Sequence, residues 1–139
     1  MLNKNSCFID ALEQAFTISA VWLDAEYRKM LTLSKPEEQG YHPAVVAFIL
    51  MEFQGLGLVE LQPWPSDASG NVLPSSLDMG ITIMRKFDSP NFRCVAIGPN
   101  RNKAEHAIAY KDAKWYDPST GLWTGGAPTI GIRSVWVLV

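Results

Sequence analysis

The chain has 139 residues, enough for one domain with a buried core and too few for two of ordinary size. Apolar and aromatic residues make up 47% against 19% charged, a globular balance that argues against a disordered chain, and no repeat or low-complexity tract interrupts it. The formal charge is −2 with Lys and Arg scattered rather than striped, which leaves no electrostatic footprint for a phosphate backbone, so nucleic acid is not the expected partner.

No apolar run reaches the roughly 18 residues of a membrane span, and Met1-Leu2-Asn3-Lys4 does not lead into the apolar core of a signal peptide. A soluble, non-secreted protein with no membrane partner is expected. Two cysteines do not make a disulfide framework: Cys7 precedes a helix pattern, and Cys94 sits in the apolar run Phe92-Arg93-Cys94-Val95-Ala96-Ile97. A reducing cytosol suits a free thiol at Cys7.

The helical patterns come first. Apolar residues at 8, 12, 16 and at 11, 15 predict a helix over Phe8–Leu23 with Asn5 or Ser6 as its cap and Cys7 in its first turn. Ala25–Leu33 continues it or forms a second short helix, and Ser34-Lys35-Pro36-Glu37-Glu38-Gln39-Gly40 breaks the pattern. His42-Pro43 opens another helix, Ala44–Gln54, that stops at Gly55.

Strand patterns follow. Gly57–Trp64 reads as a strand, Ser66–Ser76 as a loop or flap, and further strands are predicted at Gly80–Arg85, Phe92–Ile97, His106–Tyr110, Lys114–Tyr116 and Ser134–Val139. Helices first and antiparallel strands afterwards give an α+β domain, helical over about residues 5–56 and sheet-forming over about 57–139.

Tyr110-Lys111-Asp112-Ala113-Lys114-Trp115 predicts a tight turn between two strands. If Tyr110 faces Trp115, residue 108 faces 117, and side-chain alternation puts His106 and Asp117 on one face as diagonal neighbours. An odd loop would put them on opposite faces, so the pairing depends on the parity of the turn.

A thiol at a helix amino terminus, an imidazole and a carboxylate, in the order Cys7, His106, Asp117, form the set needed for nucleophilic catalysis. His106 would take the thiol proton and return it to the leaving amine, and Asp117 would fix its tautomer and stabilise the cation. Asp10, one turn after Cys7, disfavours a thiolate and is expected to point away from the sulfur. The backbone N–H of Cys7 and a side-chain amide upstream would bind the oxyanion, with Asn3 preferred and Asn5 the alternative. Taken singly, Cys7 reads as a small core residue and Asp117 as turn chemistry before Pro118; their order and the hairpin parity are what join them. His42, Cys94 and the carboxylates show no metal-ligand spacing, and no metal or cofactor is expected.

The segments Asn-Ser-Cys-Phe-Ile-Asp-Ala-Leu-Glu-Gln-Ala-Phe (5–16), His-Pro-Ala-Val-Val (42–46), Gly55-Leu56-Gly57, Glu-His-Ala-Ile-Ala (105–109), Trp115-Tyr116-Asp117 and the closing Ser-Val-Trp-Val-Leu-Val resemble, in order, those of the picornavirus leader proteases of the foot-and-mouth disease virus type. The resemblance implies a papain-like fold, with a helical subdomain packed on an antiparallel sheet, and Cys7, His106 and Asp117 as nucleophile, base and orienter. It also implies release from a viral polyprotein, cleavage of a host translation initiation scaffold, possible removal of ubiquitin-like modifiers, and so shutoff of host translation and evasion of innate immunity by a monomer in the host cytoplasm. By the same likeness Glu105 would favour basic substrate residues, and Pro43 and Ala107 would line an apolar pocket for the residue two before the cut. The family's oxyanion Asn stands five residues before its Cys, where this chain has Leu2, and its His-to-Asp hairpin is longer. Two other functions fit the same order of residues: a Josephin-like or bacterial-effector deubiquitinase, and a catalytically silent module that binds a host protein.

Overall fold

The computed structural model describes residues 1–64, 68, 69, 71 and 82–139. Most of the expected Ser66–Ser76 flap lies outside the described residues, as do Gly80 and Ile81. The described chain is mixed α+β, with helices at the amino end and an antiparallel sheet at the carboxyl end.

Helix α1 (Cys7–Phe16) buries Phe8, Ile9, Ala11, Leu12 and Ala15, the face the 3.6-residue period brings together. It is shorter than the expected Phe8–Leu23. Thr17 takes a left-handed conformation at φ 60° and its amide closes on the Glu13 carbonyl at 2.9 Å. Ser19 then caps α2 (Ala20–Met30) by accepting from the Trp22 amide at 3.1 Å. The Ser19 hydroxyl offers the backbone a local bond outside the helix, and with the left-handed turn at Thr17 this outweighs the apolar period running through both.

The expected break holds one turn of helix, α3 (Pro36–Gln39), with Pro36 at its start. Helix α4 (Pro43–Gln54) begins as expected, with Pro43 in its first turn and the His42 Nδ1 accepting from the Ala44 amide at 3.3 Å. Gly55, at φ 64°, ends it in the left-handed region where a side chain is costly. Among the described residues no helix is long and apolar enough to cross a membrane.

Among the described residues six strands form one antiparallel sheet: β1 (Leu58–Leu61), β2 (Cys94–Pro99), β3 (Glu105–Lys111), β4 (Lys114–Asp117), β5 (Leu122–Thr124) and β6 (Ser134–Leu138), in the spatial order β1-β6-β2-β3-β4-β5. The expected strand at Gly80–Arg85 is not formed where it is described. Residues 82–85 are helical and run into a 3-10 turn at Lys86–Asp88. Ile83 and Phe87, one helical turn apart, both pack into the core beneath the sheet, and that contact wins over the short Ile-Thr-Ile alternation. Strand β5 was not expected from the sequence: it is three exposed residues long and carries no alternation to detect.

Side-chain alternation divides the core in two. Val95 and Ile97 of β2 and Ala107 and Ala109 of β3 face α1, α2 and α4, whereas Cys94, Ala96, Ile108 and Tyr110 face Trp115, Ile83 and Ile130. With both faces covered, β2 is a continuous buried run up to Gly98.

The hairpin has the expected register, with Tyr110 opposite Trp115 and Lys111 opposite Lys114. Its two central residues, Asp112 and Ala113, have φ of 53° and 61°, the pair of positive values of a type I′ turn. Replacing Ala113→Gly removes the Cβ strain and is expected to stabilise the fold by about 1 kcal/mol, read as a higher denaturant midpoint at unchanged slope. At Gly98 the constraint is space: an added Cβ would stand 1.6 Å from the Gly131 carbonyl oxygen. Gly98→Ala is therefore expected to destabilise by on the order of 3 kcal/mol in the same titration.

Candidate active site

Cys7, His106 and Asp117 line one open cleft of about 1290 Å³ between the helical part and the sheet. The helical part supplies Cys7 and Pro43 from helices and Tyr41 from the segment between α3 and α4. The sheet and its loops supply Ile97, residues 100–102, Glu105, His106, Ala107, Asp117 and residues 127–129. The predicted triad residues, 99 and 11 positions apart along the chain from Cys7 to His106 to Asp117, thus share one surface.

The hairpin brings His106 to Asp117, and His106 Nε2 lies 2.7 Å from Asp117 Oδ1. That leaves Nδ1 as the ring nitrogen available to the thiol. The Cys7 side chain is the largest influence on the imidazole and raises its pKa; burial opposes it, Asp117 adds to it, and the net value is about 9. Burial pushes the Asp117 carboxyl up, but hydrogen bonds from the Ser119 hydroxyl, His106 and the Ser119 amide outweigh it and hold the group at about 2. Between these values the carboxylate is ionised and the imidazole is a cation, the state in which Asp117 stabilises charge beside the sulfur.

The Asp117 carboxylate is fully engaged. Oδ1 accepts from the Ser119 amide at 2.9 Å and the Ser119 hydroxyl at 2.7 Å as well as from His106. Oδ2 accepts from Thr129 Oγ1 at 3.0 Å. Ser119 and Thr129 are site residues that sequence reasoning missed. Ser119 carried a readable signal, since Asp-Pro-Ser is an Asx-turn sequence. Thr129 carried none, because it lies in the loop between β5 and β6 and reaches Asp117 only through the fold.

The amino end of α1 is left without a side-chain cap. Ser6, at the cap position, is turned back, with its hydroxyl 2.7 Å from the Asn3 carbonyl and 2.5 Å from Asp10 Oδ2. Asp10 also accepts from the Leu2 amide at 3.3 Å, so its carboxylate is bound to the segment before the helix. Helix amides and dipole therefore remain available at Cys7.

Of the two oxyanion candidates, Asn3 donates its side-chain amide to the Tyr41 hydroxyl at 3.0 Å, and it does not line the cleft. Asn5 does line it, and donates to the Glu37 carbonyl at 2.7 Å, which uses one of its two amide protons. Tyr41 in turn donates to Asp24 Oδ1 at 2.5 Å, and burial, with Asp24 second, pushes its pKa up to about 12, so it stays a donor. Arg28 pairs with both Asp24, at 2.9 Å, and Glu37, at 2.8 Å. The result is a polar brace between α2, α3 and the segment leading to Cys7.

Pro43 and Ala107 both line the cleft, one on each wall. Glu105 lines it too, but its Oε1 is paired with Arg133 Nη2. Among the described residues no group of three His, Cys, Asp or Glu side chains could hold a metal ion. Cys94 is fully buried and burial pushes its thiol pKa far up, which makes it a core residue. No family model, no curated protein and no solved structure matches this chain.

The direction of each shift fixes the pH behaviour. His106, raised from 6.5 to about 9, contributes stability that is complete below 6.5 and lost as pH rises through 9. Asp117, lowered from 3.8 to about 2, contributes stability present above 3.8 and lost as pH falls through 2. Thr129→Val removes a hydrogen bond from Asp117 and weakens its hold on the cation, so the alkaline limb of any His106-dependent rate, near pH 9 in the intact protein, is expected to move to lower pH. Thr129→Ser is expected to restore it, and a pH–rate series across the three proteins checks both.

Proposed function

We propose that this protein is a papain-like cysteine endopeptidase. The observation that carries the reading is a thiol at a helix amino terminus, an imidazole and an ionised carboxylate lining one cleft, with the imidazole 2.7 Å from the carboxylate.

In the proposed reaction a peptide lies along the cleft with its scissile carbonyl over Cys7. The thiolate attacks that carbon while His106 holds the proton on Nδ1, and the oxyanion is met by the Cys7 amide and the second amide proton of Asn5. His106 then gives its proton to the leaving amine and the C–N bond breaks, leaving a thioester. Water enters, His106 takes one of its protons, and attack on the thioester carbonyl releases the acid and the thiol. Asp117 keeps the ring oriented through both steps, and Ser119 and Thr129 keep Asp117 in place.

Within this class, the resemblance of the segments around Cys7 and His106 to those of picornavirus leader proteases supports a viral enzyme that frees itself from a polyprotein and cuts host proteins in the cytoplasm. The placing of Cys7, His106 and Asp117 on one cleft, with His106 bound to Asp117, favours an active enzyme over a silent binding module. A deubiquitinase would use the same three residues and differs in its substrate.

Cys7→Ala is expected to abolish turnover of a junction peptide, a loss of at least about 1,000-fold given what removing a nucleophile costs elsewhere. A thiol-reactive epoxide is expected to label Cys7 and leave Cys94 unmodified, read by mass spectrometry of the digested protein. Undiminished turnover by Cys7→Ala would overturn the proposal. Labelling of Cys7 by a ubiquitin vinyl sulfone, with no junction peptide cut, would replace the endopeptidase reading with the deubiquitinase one.

A further inference from the structure

The cleft carries charge that the reaction does not use. On the sheet wall, the turn between β2 and β3 brings Arg101 to the lip, flanked by Asn100 and Asn102. On the helical wall, Lys4 lines the same cleft from the segment before α1. Both are exposed, and neither has an ion-pair partner among the described residues.

The turn that presents Arg101 is tied down. Asn100 Oδ1 accepts from the amides of Asn102 at 2.9 Å and Ala104 at 3.0 Å, and the Asn100 amide bonds to the Ala104 carbonyl at 2.8 Å. Arg101 therefore stands on a fixed backbone rather than on a loose loop.

Among the described residues, the two acidic groups of the lining are both taken. Asp117 is held by His106, Ser119 and Thr129, and Glu105 is paired with Arg133. A substrate lysine or arginine seeking Glu105 would have to displace an arginine already there. The chain as a whole carries −2, so a lip with two unpaired cations is a local arrangement and not a property of the surface at large.

Resting on the endopeptidase reading, we propose that the cleft selects polypeptide segments with acidic side chains flanking the scissile bond, and that Lys4 and Arg101 read them from opposite walls. Two cations in one cleft, one from the segment before α1 and one from the turn between β2 and β3, suit an extended peptide with carboxylates on both sides of its backbone, since alternate side chains point in opposite directions. Each contact is solvent-exposed, so each carboxylate adds up to about fivefold in affinity, and the effect fades with salt.

The test reads binding apart from turnover. Fluorescent peptides of one backbone sequence, carrying Ser, Asp or Lys at the positions flanking the bond, are titrated into the Cys7→Ala protein at low and high salt. The order Asp tighter than Ser tighter than Lys is expected, with a spread of several-fold that shrinks at high salt. The double charge reversal Lys4→Glu with Arg101→Glu is expected to invert the order at an unchanged thermal midpoint. Equal binding of all three peptides, a preference for Lys, no binding, or an order that survives the reversal would overturn the proposal. If the peptides bind in the expected order and the intact protein cuts none of them, the endopeptidase reading fails and the charge selection stands.

Discussion

The packing of α1 across β2 and β3 is the contact on which the site depends. Phe8, Ile9, Ala11, Leu12 and Ala15 are buried against Val95, Ile97, Ala107, Ala109 and Trp136, and Phe8 meets the Trp136 ring edge-on at 5.9 Å. A large apolar side chain buried in this way contributes about 1.5–3 kcal/mol, more than the 0–1 kcal/mol of an exposed ion pair such as Arg28 with Asp24. Apolar burial, not surface charge, thus sets where the amino end of α1 lies. Because Cys7 is the first residue of that helix and His106 the second of β3, one packing decision fixes the distance between thiol and imidazole.

Two further constraints complete the geometry. The type I′ turn at Asp112 and Ala113 makes the hairpin even, so His106 and Asp117 share a face. The close approach of Gly98 to Gly131 lets the chain entering β6 lie against β2, with the Gly131 amide on the Pro99 carbonyl at 2.9 Å and the Arg133 amide on the Ile97 carbonyl at 2.8 Å. That seating carries Thr129 to Asp117 and Arg133 to Glu105. The support of the Asp117 carboxylate and the pairing of Glu105 on the cleft wall both follow from one glycine contact.

Much of this was legible in the sequence where the signal is local or periodic. The helix start at Cys7, the Pro43 and Gly55 boundaries and the hairpin parity each follow from residue type and spacing, and the His106–Asp117 pairing follows from that parity. What the sequence did not reveal depends on contacts made at a distance. The stop at Thr17 needs Ser19 as a competing cap, and the helical turn at 82–85 needs Ile83 and Phe87 to find the same core. Asn3 looked free to bind an oxyanion until Tyr41, 38 residues away, took its amide. Glu105 kept its place in the cleft but not its freedom, because Arg133, 28 residues further on and just before β6, pairs with it across β2.

The central claim is that thiol, imidazole and carboxylate behave as one electrostatic unit, and the most direct measurement is the titration of the His106 imidazole by NMR, resolved from His42, the chain's other histidine. A midpoint near 9 is expected in the intact protein, falling when Cys7 is replaced by Ala because the largest contribution to the shift is removed. A midpoint at the ordinary value near 6.5, indifferent to the presence of Cys7, would show that the imidazole does not feel the thiol and would contradict the unit.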